Sequence, residues 1–218
     1  GMGDPREKNE KLKATKIPVV ISVDHLEETP LARAEWIRFF AVFAGQRHKA
    51  DSIFSEVEKE YLRLKKTAEA AKQHPAVFSE CKFGDVWYMP GGDSYMATLI
   101  KDAGGHYLWQ DDTRSGSLPL SFEQVFARAA DADFWINQPL TENKAALVAQ
   151  ESRYANFKAF KTGQLYNNTK FINPKGYSTY WETGMYHPER ILNDLIWIFH
   201  PELRGQVKND LYYYTQLR

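Results

Sequence analysis

The sequence contains one cysteine, Cys81, among its 218 residues. A single cysteine excludes an intrachain disulfide and a cysteine-based metal site. The six histidines are scattered along the chain, without the short spacings that are typical of metal ligands. No apolar run approaches the roughly 20 residues that a membrane-spanning helix needs. The opening stretch GMGDPREKNEKLKATK is polar and charged, so we expect no export signal within this chain.

An excess of charge is also missing, because 28 Lys and Arg residues balance 28 Asp and Glu residues. Without net positive charge there is no general attraction to nucleic acid or to an anionic membrane surface. The sequence lacks the glycine-rich fingerprints of nucleotide-binding proteins. Ser94 and Ser117 lack the G-x-S-x-G elbow, and Cys81 falls inside a predicted strand, so nucleophilic catalysis has no support.

Aromatic residues, by contrast, are abundant: 13 Phe, 12 Tyr and 6 Trp. Many of the Tyr and Trp residues lie in polar or Gly/Pro-rich segments rather than in apolar runs. Aromatic side chains in such segments form contact surface for a ligand as well as core.

The pattern from His48 to Gln73 predicts one long helix. Apolar residues recur at helical spacing in Ile53, Val57, Tyr61 and Leu64, and neither Gly nor Pro interrupts the stretch. Such a helix would be about 40 Å long. We interpret it as a strut between a small N-terminal piece and a larger C-terminal domain. Its Ala- and Lys-rich end should be exposed to solvent between the two. The alternative is an ordinary surface helix within one domain.

The residues before this helix predict one strand and one helix. The apolar, β-branched run 17–23 is typical of a buried strand. Thr29 and Pro30 then begin a helix that Gly45 ends. Its predicted apolar face contains Leu31, Trp36, Phe39, Phe40 and Phe43. Because one strand cannot form a sheet, we expect exposed apolar surface over 17–43, which favours dimerisation.

The residues after the helix alternate between strand and helix patterns. Strands are predicted at 76–81, 85–89, 133–137 and 164–166. Helices are predicted at 94–103, from the capping box at 121 through 129, at 144–150, at 157–160 and from Pro188. This order predicts an α/β fold with a mainly parallel sheet and flanking helices. We therefore divide the chain into a partial N-terminal lobe (1–46), a linking helix (47–74) and a C-terminal lobe (75–218).

Two aromatic segments are candidate binding sites. The segment 83–95 places Trp87, Tyr88 and Tyr95 around a Gly-rich turn at a strand end, where open α/β sheets bind ligands. The alternative is that the glycines only make the turn. Because strand side chains alternate, at least one of Trp87 and Tyr88 should be core.

The second segment, 176–190, carries Tyr177, Tyr180 and Trp181 beside Glu182. Aromatic platforms next to an acid suit a glycan, a flat macrocycle or a partner protein. The alternative is a surface loop with half-buried aromatics. Asp112 with Glu182 could act as the two carboxylates of a glycosidase, although the composition around Asp112 is that of a turn.

Three segments together resemble the substrate-binding proteins of iron-complex and cobalamin ABC importers. They are VVISVDHLEETPLARAEWIRFF with the charged helix, VWYMPGGDSYMATLIKDAGGHYLW with GSLPLSFEQVFARAADADFWIN, and YWETGMYHPERILNDLIWIFHPEL. The most specific part is the acid-Ala-Gly-Gly after a helix, followed by S-x-E and then an Asp-Ala-Asp strand. The resemblance covers almost everything after residue 17.

The resemblance implies two α/β lobes joined by a rigid helix, with a siderophore, haem or cobalamin held between them. It implies a periplasmic protein or a membrane-anchored lipoprotein, no catalysis, no cofactor, and an ABC permease as partner. Ligand contacts would come from Trp87, Tyr88, Tyr95, Tyr177, Tyr180, Trp181 and Arg33, with Glu28 nearby, and Glu182 would dock to the permease. The first half of the family's N-terminal lobe has no counterpart here, so we expect an incomplete lobe that favours a homodimer. The competing function is a carbohydrate-active enzyme or a glycan-binding module.

Overall fold

The computed structural model describes residues 20–138 and 141–218. The predicted strand over 17–23 is wrong for the part that falls in this range. Residues 20–23 form no strand, and the side chains of Val20, Ile21 and Val23 are between 41% and 53% exposed. Residues 17–19 lie outside the described residues. A strand needs a partner strand, and the described residues provide none at this point.

Helix α1 (Pro30–Phe43) begins and ends as its sequence predicts. The Thr29 hydroxyl accepts a hydrogen bond from the backbone N–H of Ala32, and Gly45 follows in the left-handed conformation. The predicted apolar face is wrong in part, because the helix buries its small residue Ala34 while Phe40 and Phe43 are 38% and 63% exposed. The aromatic rings instead pack on one another along the surface of the helix.

Helix α2 (Arg47–Ala68) ends five residues before the predicted Gln73. The prediction that its C-terminal end is exposed to solvent is wrong, since Tyr61, Leu64 and Ala68 are buried in the main core. The Tyr61 hydroxyl donates to a carboxylate oxygen of Asp102 at 2.7 Å, and the other oxygen pairs with the Lys65 ammonium at 2.8 Å. The N-terminal half forms a separate small cluster with α1. The division of the chain at residues 46 and 74 stays a prediction.

The C-terminal part contains the strands and the remaining helices. The strands are β1 (Ala76–Ser79), β2 (Lys82–Phe83), β3 (Val86–Pro90), β4 (His106–Tyr107), β5 (Ser117–Leu120), β6 (Phe134–Ile136), β7 (Leu165–Asn167) and β8 (Thr215–Gln216). The helices are α3 (Tyr95–Asp102), α4 (Phe122–Ala129), α5 (Lys144–Gln150), α6 (Lys158–Thr162), α7 (Tyr180–Thr183) and α8 (Pro188–Phe199). The predicted strand and helix bounds in this part differ from these by no more than two residues.

The main sheet has the strand order β4-β1-β6-β7-β8. Its first four strands are parallel and β8 is antiparallel to β7, which confirms the predicted α/β fold with a mainly parallel sheet. A small antiparallel sheet, β2-β3-β5, packs beside it. The parallel strands β1 and β6 are paired through Ser79 and Ile136, so the residues that follow them emerge side by side.

An aromatic cluster joins the two sheets. Trp87 of β3 is fully buried, with its ring centroid 5.7 Å from those of Trp135 and Tyr154, and Phe78 stacks on Trp135 at 5.0 Å. The indole N–H of Trp87 donates to the carbonyl oxygen of Ser79 at 3.0 Å. These contacts fix β3 against β1 and thereby fix the turn that follows β3.

A buried carboxylate secures the C-terminal residues. Asp194 of α8 is fully buried and accepts backbone N–H donors from Tyr212, Tyr213 and Tyr214 at 2.8, 2.7 and 3.2 Å. The three donors hold residues 212–214 against α8, just before β8 pairs with the sheet.

Candidate functional site

A cleft of about 520 Å³ lies at the carboxyl end of β1, between residues 25–33 and the C-terminal part. Open α/β sheets bind ligands at this edge, and small-molecule sites commonly enclose 300–1,000 Å³. A larger cavity of about 760 Å³ lies near Pro75, Asp133 and Gln164, where strands begin. We place the candidate site at the carboxyl edge because the aromatic residues that the sequence singles out converge there.

Five of the predicted ligand contacts line this cleft: Arg33, Tyr88, Tyr95, Tyr180 and Trp181, and Glu28 joins them. Tyr88 and Trp181 are 48% and 56% exposed and offer accessible aromatic surface, whereas Tyr180 is almost fully buried and offers little. The structure thus brings together residues from both predicted segments. Direct contact with a ligand stays a prediction.

Two of the predicted contacts are misplaced. Trp87 faces the core because side chains alternate along β3, so that Tyr88 alone of the pair faces the cleft. Tyr177 is 63% exposed but does not line the cleft. Its loop is held by Asn173, whose side chain accepts the backbone N–H of Tyr177 at 3.0 Å.

The glycines after β3 serve close packing rather than a ligand. A Cβ atom at Gly91 would lie 2.1 Å from the carbonyl oxygen of Arg114, and one at Gly92 would lie 2.2 Å from that of Asp112. Only glycine permits this approach. The turn delivers Ser94, which caps α3 by accepting the backbone N–H of Ala97, and so positions Tyr95 at the cleft.

Arg33 connects the two sides of the cleft. Its guanidinium donates to the backbone carbonyl oxygens of Asp24, His25 and Glu27 at 3.2, 2.8 and 3.4 Å. The same group lies over the ring of Tyr95, 4.5 Å from its centroid. This cation–π contact positions residues 24–27 beside α3 and leaves few guanidinium donors for a ligand.

Glu80 lines the cleft directly after β1, and the sequence analysis missed it. Its backbone is left-handed, with φ of 63°, and is fixed by two hydrogen bonds: its N–H donates to Ile136 at 3.1 Å and its carbonyl accepts from the Trp135 indole at 2.7 Å. Burial raises the pKa of the Glu80 carboxyl to about 8. An acid at the end of an apolar strand was the available signal.

Beside Glu80, the residue after β6 repeats this geometry. Asn137 also has a left-handed backbone, with φ of 60°. Its side chain accepts the Tyr214 hydroxyl at 2.8 Å and donates to the sulfur of Met96 at 2.9 Å. The hydroxyl of Tyr95 and the Oε1 atom of Gln138 are buried without a partner among the described residues. Of these residues, Tyr95 and Met96 line the cleft, whereas Asn137, Gln138 and Tyr214 do not.

The proposed glycosidase pair does not assemble. Neither Asp112 nor Glu182 lines the cleft. Asp112 is paired with the Arg114 guanidinium at 2.7 Å, which holds the pKa of Asp112 below its usual value. Glu182 is exposed and accepts the side-chain amide of Asn173 at 2.9 Å. Asp112 and Glu182 therefore do not form the carboxylate pair that glycoside hydrolysis needs in this cleft.

The part of the chain that the structure describes holds no cluster of three or more His, Cys, Asp or Glu side chains suited to a metal ion. Within the same residues, every helix falls short of the length and apolarity needed to cross a membrane.

Known proteins resemble this chain in sequence and in fold. A family model described as periplasmic binding protein matches residues 1–170. Two uncharacterised lipoproteins of Methanocaldococcus jannaschii are 30% and 31% identical to it over 195 and 217 residues, which is 88% and 96% of this chain. Those alignments cover 44% and 53% of the relatives, so the chain spans about half the length of the curated relatives it matches.

Among solved structures, a periplasmic heme-binding protein, RhuT, from Roseiflexus sp. RS-1 matches with a TM-score of 0.69 and 20% identity, over 91% of this chain and 72% of its own. A periplasmic heme-binding protein from Pseudomonas aeruginosa matches with a TM-score of 0.66 and 18% identity, over 92% and 70%. At these identities the likeness concerns the fold. The family match spans most of the chain, residues 1–170 of 218. The chain therefore belongs to the periplasmic binding protein family.

Proposed function

We propose that this chain is the substrate-binding component of an ABC importer that captures an iron complex (siderophore or haem) or a cobalamin-type ligand, without catalysis. The observation that carries the proposal is the aromatic cleft at the carboxyl edge of the sheet. Its volume and its open faces, Tyr88 and Trp181, suit a large, flat or macrocyclic ligand. Family membership and the heme-binding neighbours support it.

Delivery belongs to the same proposal. The protein acts at the outer face of a membrane, in the periplasm or as a lipid-anchored protein, as the names of its lipoprotein relatives support. It docks to an ABC permease in the inner membrane, and exposed Glu182 supplies an acid for pairing with a permease arginine.

The binding test is calorimetric titration of the 218-residue chain with ferric siderophores, haem and cobalamin. We expect at least one to bind, and Trp181→Ala to weaken that affinity about tenfold or more, because an exposed aromatic that anchors a ligand typically contributes more than 1 kcal/mol. Tyr177→Ala is the matched control, since it lies in the same loop, is similarly exposed and does not line the cleft. Equal effects of the two changes, or no binding at all, would contradict the proposal.

We also infer that the exposed aromatic surface of α1 mediates self-association of this chain. Phe40, Val42 and Phe43 are 38%, 61% and 63% exposed, and contiguous exposed apolar surface is typical of an interaction site. The double change Phe40→Ser, Phe43→Ser should raise the monomer fraction in analytical ultracentrifugation with little change in stability. The control is Leu62→Ser, another exposed apolar residue, on α2. A wild-type chain that is monomeric at all concentrations would refute this inference.

A further inference from the structure

The cleft is acidic. Glu27, Glu28 and Glu80 line it, together with Arg33 and His25. Within the described residues none of the three carboxylates has an ion-pair partner, and the guanidinium of Arg33 is bonded to backbone carbonyls. The Glu27 carboxylate accepts the indole N–H of Trp36 at 3.0 Å. Arg33 is thus the one arginine or lysine among the lining residues, against three carboxyl groups, and it forms no ion pair with any of them within the described residues.

Glu80 is the innermost of these acids and the most constrained. A left-handed backbone costs a non-glycine residue roughly 1–2 kcal/mol, and an uncompensated, partly buried carboxyl adds a desolvation cost. Both of these destabilising features are present in the native structure, where hydrogen bonds to Ile136 and Trp135 hold the backbone in place. An outlier of this kind beside a cavity indicates a functional role.

We propose that Glu80 selects ligands by charge, so that the cleft takes an uncharged or cationic metal chelate and rejects chelates that present anionic groups, such as haem with its propionates or a ferric catecholate. This inference rests on the proposed function and narrows its ligand class. A cationic group placed against Glu80 favours the ionised carboxylate and gains attraction in a partly desolvated site. Propionate or catecholate oxygens would instead meet repulsion from Glu27 and Glu28, and from Glu80 wherever the pH ionises it.

Proton release accompanies binding of a cation. Because burial raises the pKa of Glu80 to about 8, the carboxyl holds its proton at neutral pH while the cleft is empty, and a bound cation displaces it. Affinity for a cationic chelate should thus rise with pH, by at most about tenfold per pH unit, and level off above pH 8.

The other titratable groups around Glu80 are phenols, one thiol and the charged groups at the cleft mouth. Burial raises the pKa values of the phenols of Tyr95, Tyr107, Tyr180 and Tyr214 and of the Cys81 thiol, which stay neutral over this range. Tyr88, His25, Glu27, Glu28 and Arg33 complete the set. Measuring the pH dependence of ligand affinity in a His25→Gln variant removes the His25 imidazole from that dependence.

The test is calorimetric titration of the 218-residue chain from pH 6 to 9 with five probes. They are cationic ferrioxamine B, uncharged ferrichrome, haem, trianionic ferric enterobactin, and spermidine as a metal-free cation. At pH 8 we expect ferrioxamine B to bind more tightly than the other four probes. We also expect its binding to release protons, which titrations in two buffers of different ionisation enthalpy detect. Glu80→Gln should weaken its binding about tenfold and flatten the pH profile, while ferrichrome changes little. Glu58→Gln, an equal loss of charge on the exposed face of α2, should change nothing.

Each other outcome decides between the two proposals. Tightest binding of haem or ferric enterobactin, or an unchanged pH profile in Glu80→Gln, overturns charge selection and leaves the proposed function standing. Glu80-dependent binding of spermidine alone supports charge selection and overturns the chelate as cargo. Binding of none of the probes overturns charge selection, and failure of cobalamin to bind as well overturns the proposed function. If Glu80→Gln does not fold, Glu80→Gly replaces it, because a φ of 63° suits glycine.

Discussion

Replacing Trp87 with alanine should lower the free energy of unfolding by about 3–5 kcal/mol, the usual cost of removing a large buried aromatic residue. The indole lies at the centre of the aromatic cluster, with the rings of Trp135 and Tyr154 each 5.7 Å away. Its loss would leave a cavity and an unpaired carbonyl oxygen on Ser79. Chemical denaturation at equilibrium measures the change.

The neighbouring residue supplies the control. Tyr88→Ala should cost less than about 1 kcal/mol, because the ring is 48% exposed on the opposite side of β3. Instead, it should weaken ligand binding. A stable Trp87→Ala variant with impaired binding would reverse the assignment of the two faces and return Trp87 to the cleft.

Asp194→Ala should be similarly destabilising, by about 3–5 kcal/mol, because it leaves three backbone donors without their shared acceptor. The expected signature is local: residues 212–217 should lose protection from hydrogen exchange first. Asp194→Asn keeps one acceptor oxygen, so its free energy of unfolding should fall by about half as much. Equal stability of both variants and wild type would show that the C-terminal residues are held by other contacts.

The pH dependence of this effect has a definite sign. Burial raises the pKa of Asp194 from an ordinary value of 3.8 to about 6, against the lowering effect of its three donors. The native state therefore binds the proton more tightly than the unfolded state. The contribution of this group to stability is complete below pH 4 and declines up to pH 6, by at most about 1.4 kcal/mol per pH unit. The difference in free energy of unfolding between wild type and Asp194→Asn, measured from pH 3 to 7, isolates the contribution of Asp194.

Local sequence patterns were sufficient for the framework of the C-terminal part. The capping box at Ser121 forms as predicted, with both of its hydrogen bonds, and α5 has the predicted bounds. Such elements are set by neighbours in sequence. The strands β2, β4 and β8, of two residues each, were missed because two residues carry no periodicity.

The site was only partly predictable, for a different reason. Alternation along β3 predicts that either Trp87 or Tyr88 is buried, but the choice depends on the register of β3 against β5. The role of Glu80 depends on where β1 ends and on hydrogen bonds from β6, which is distant in sequence. Asp194 likewise meets its donors across about twenty residues of chain.

The left-handed conformation after β1 also makes position 80 tolerant of certain substitutions. Glycine, asparagine and aspartate tolerate such a backbone better than glutamate does, so replacing Glu80 by any of them should leave folding intact or improve it. Under the charge selection proposed above, glycine or asparagine at position 80 would change which ligands bind while leaving thermal stability unimpaired.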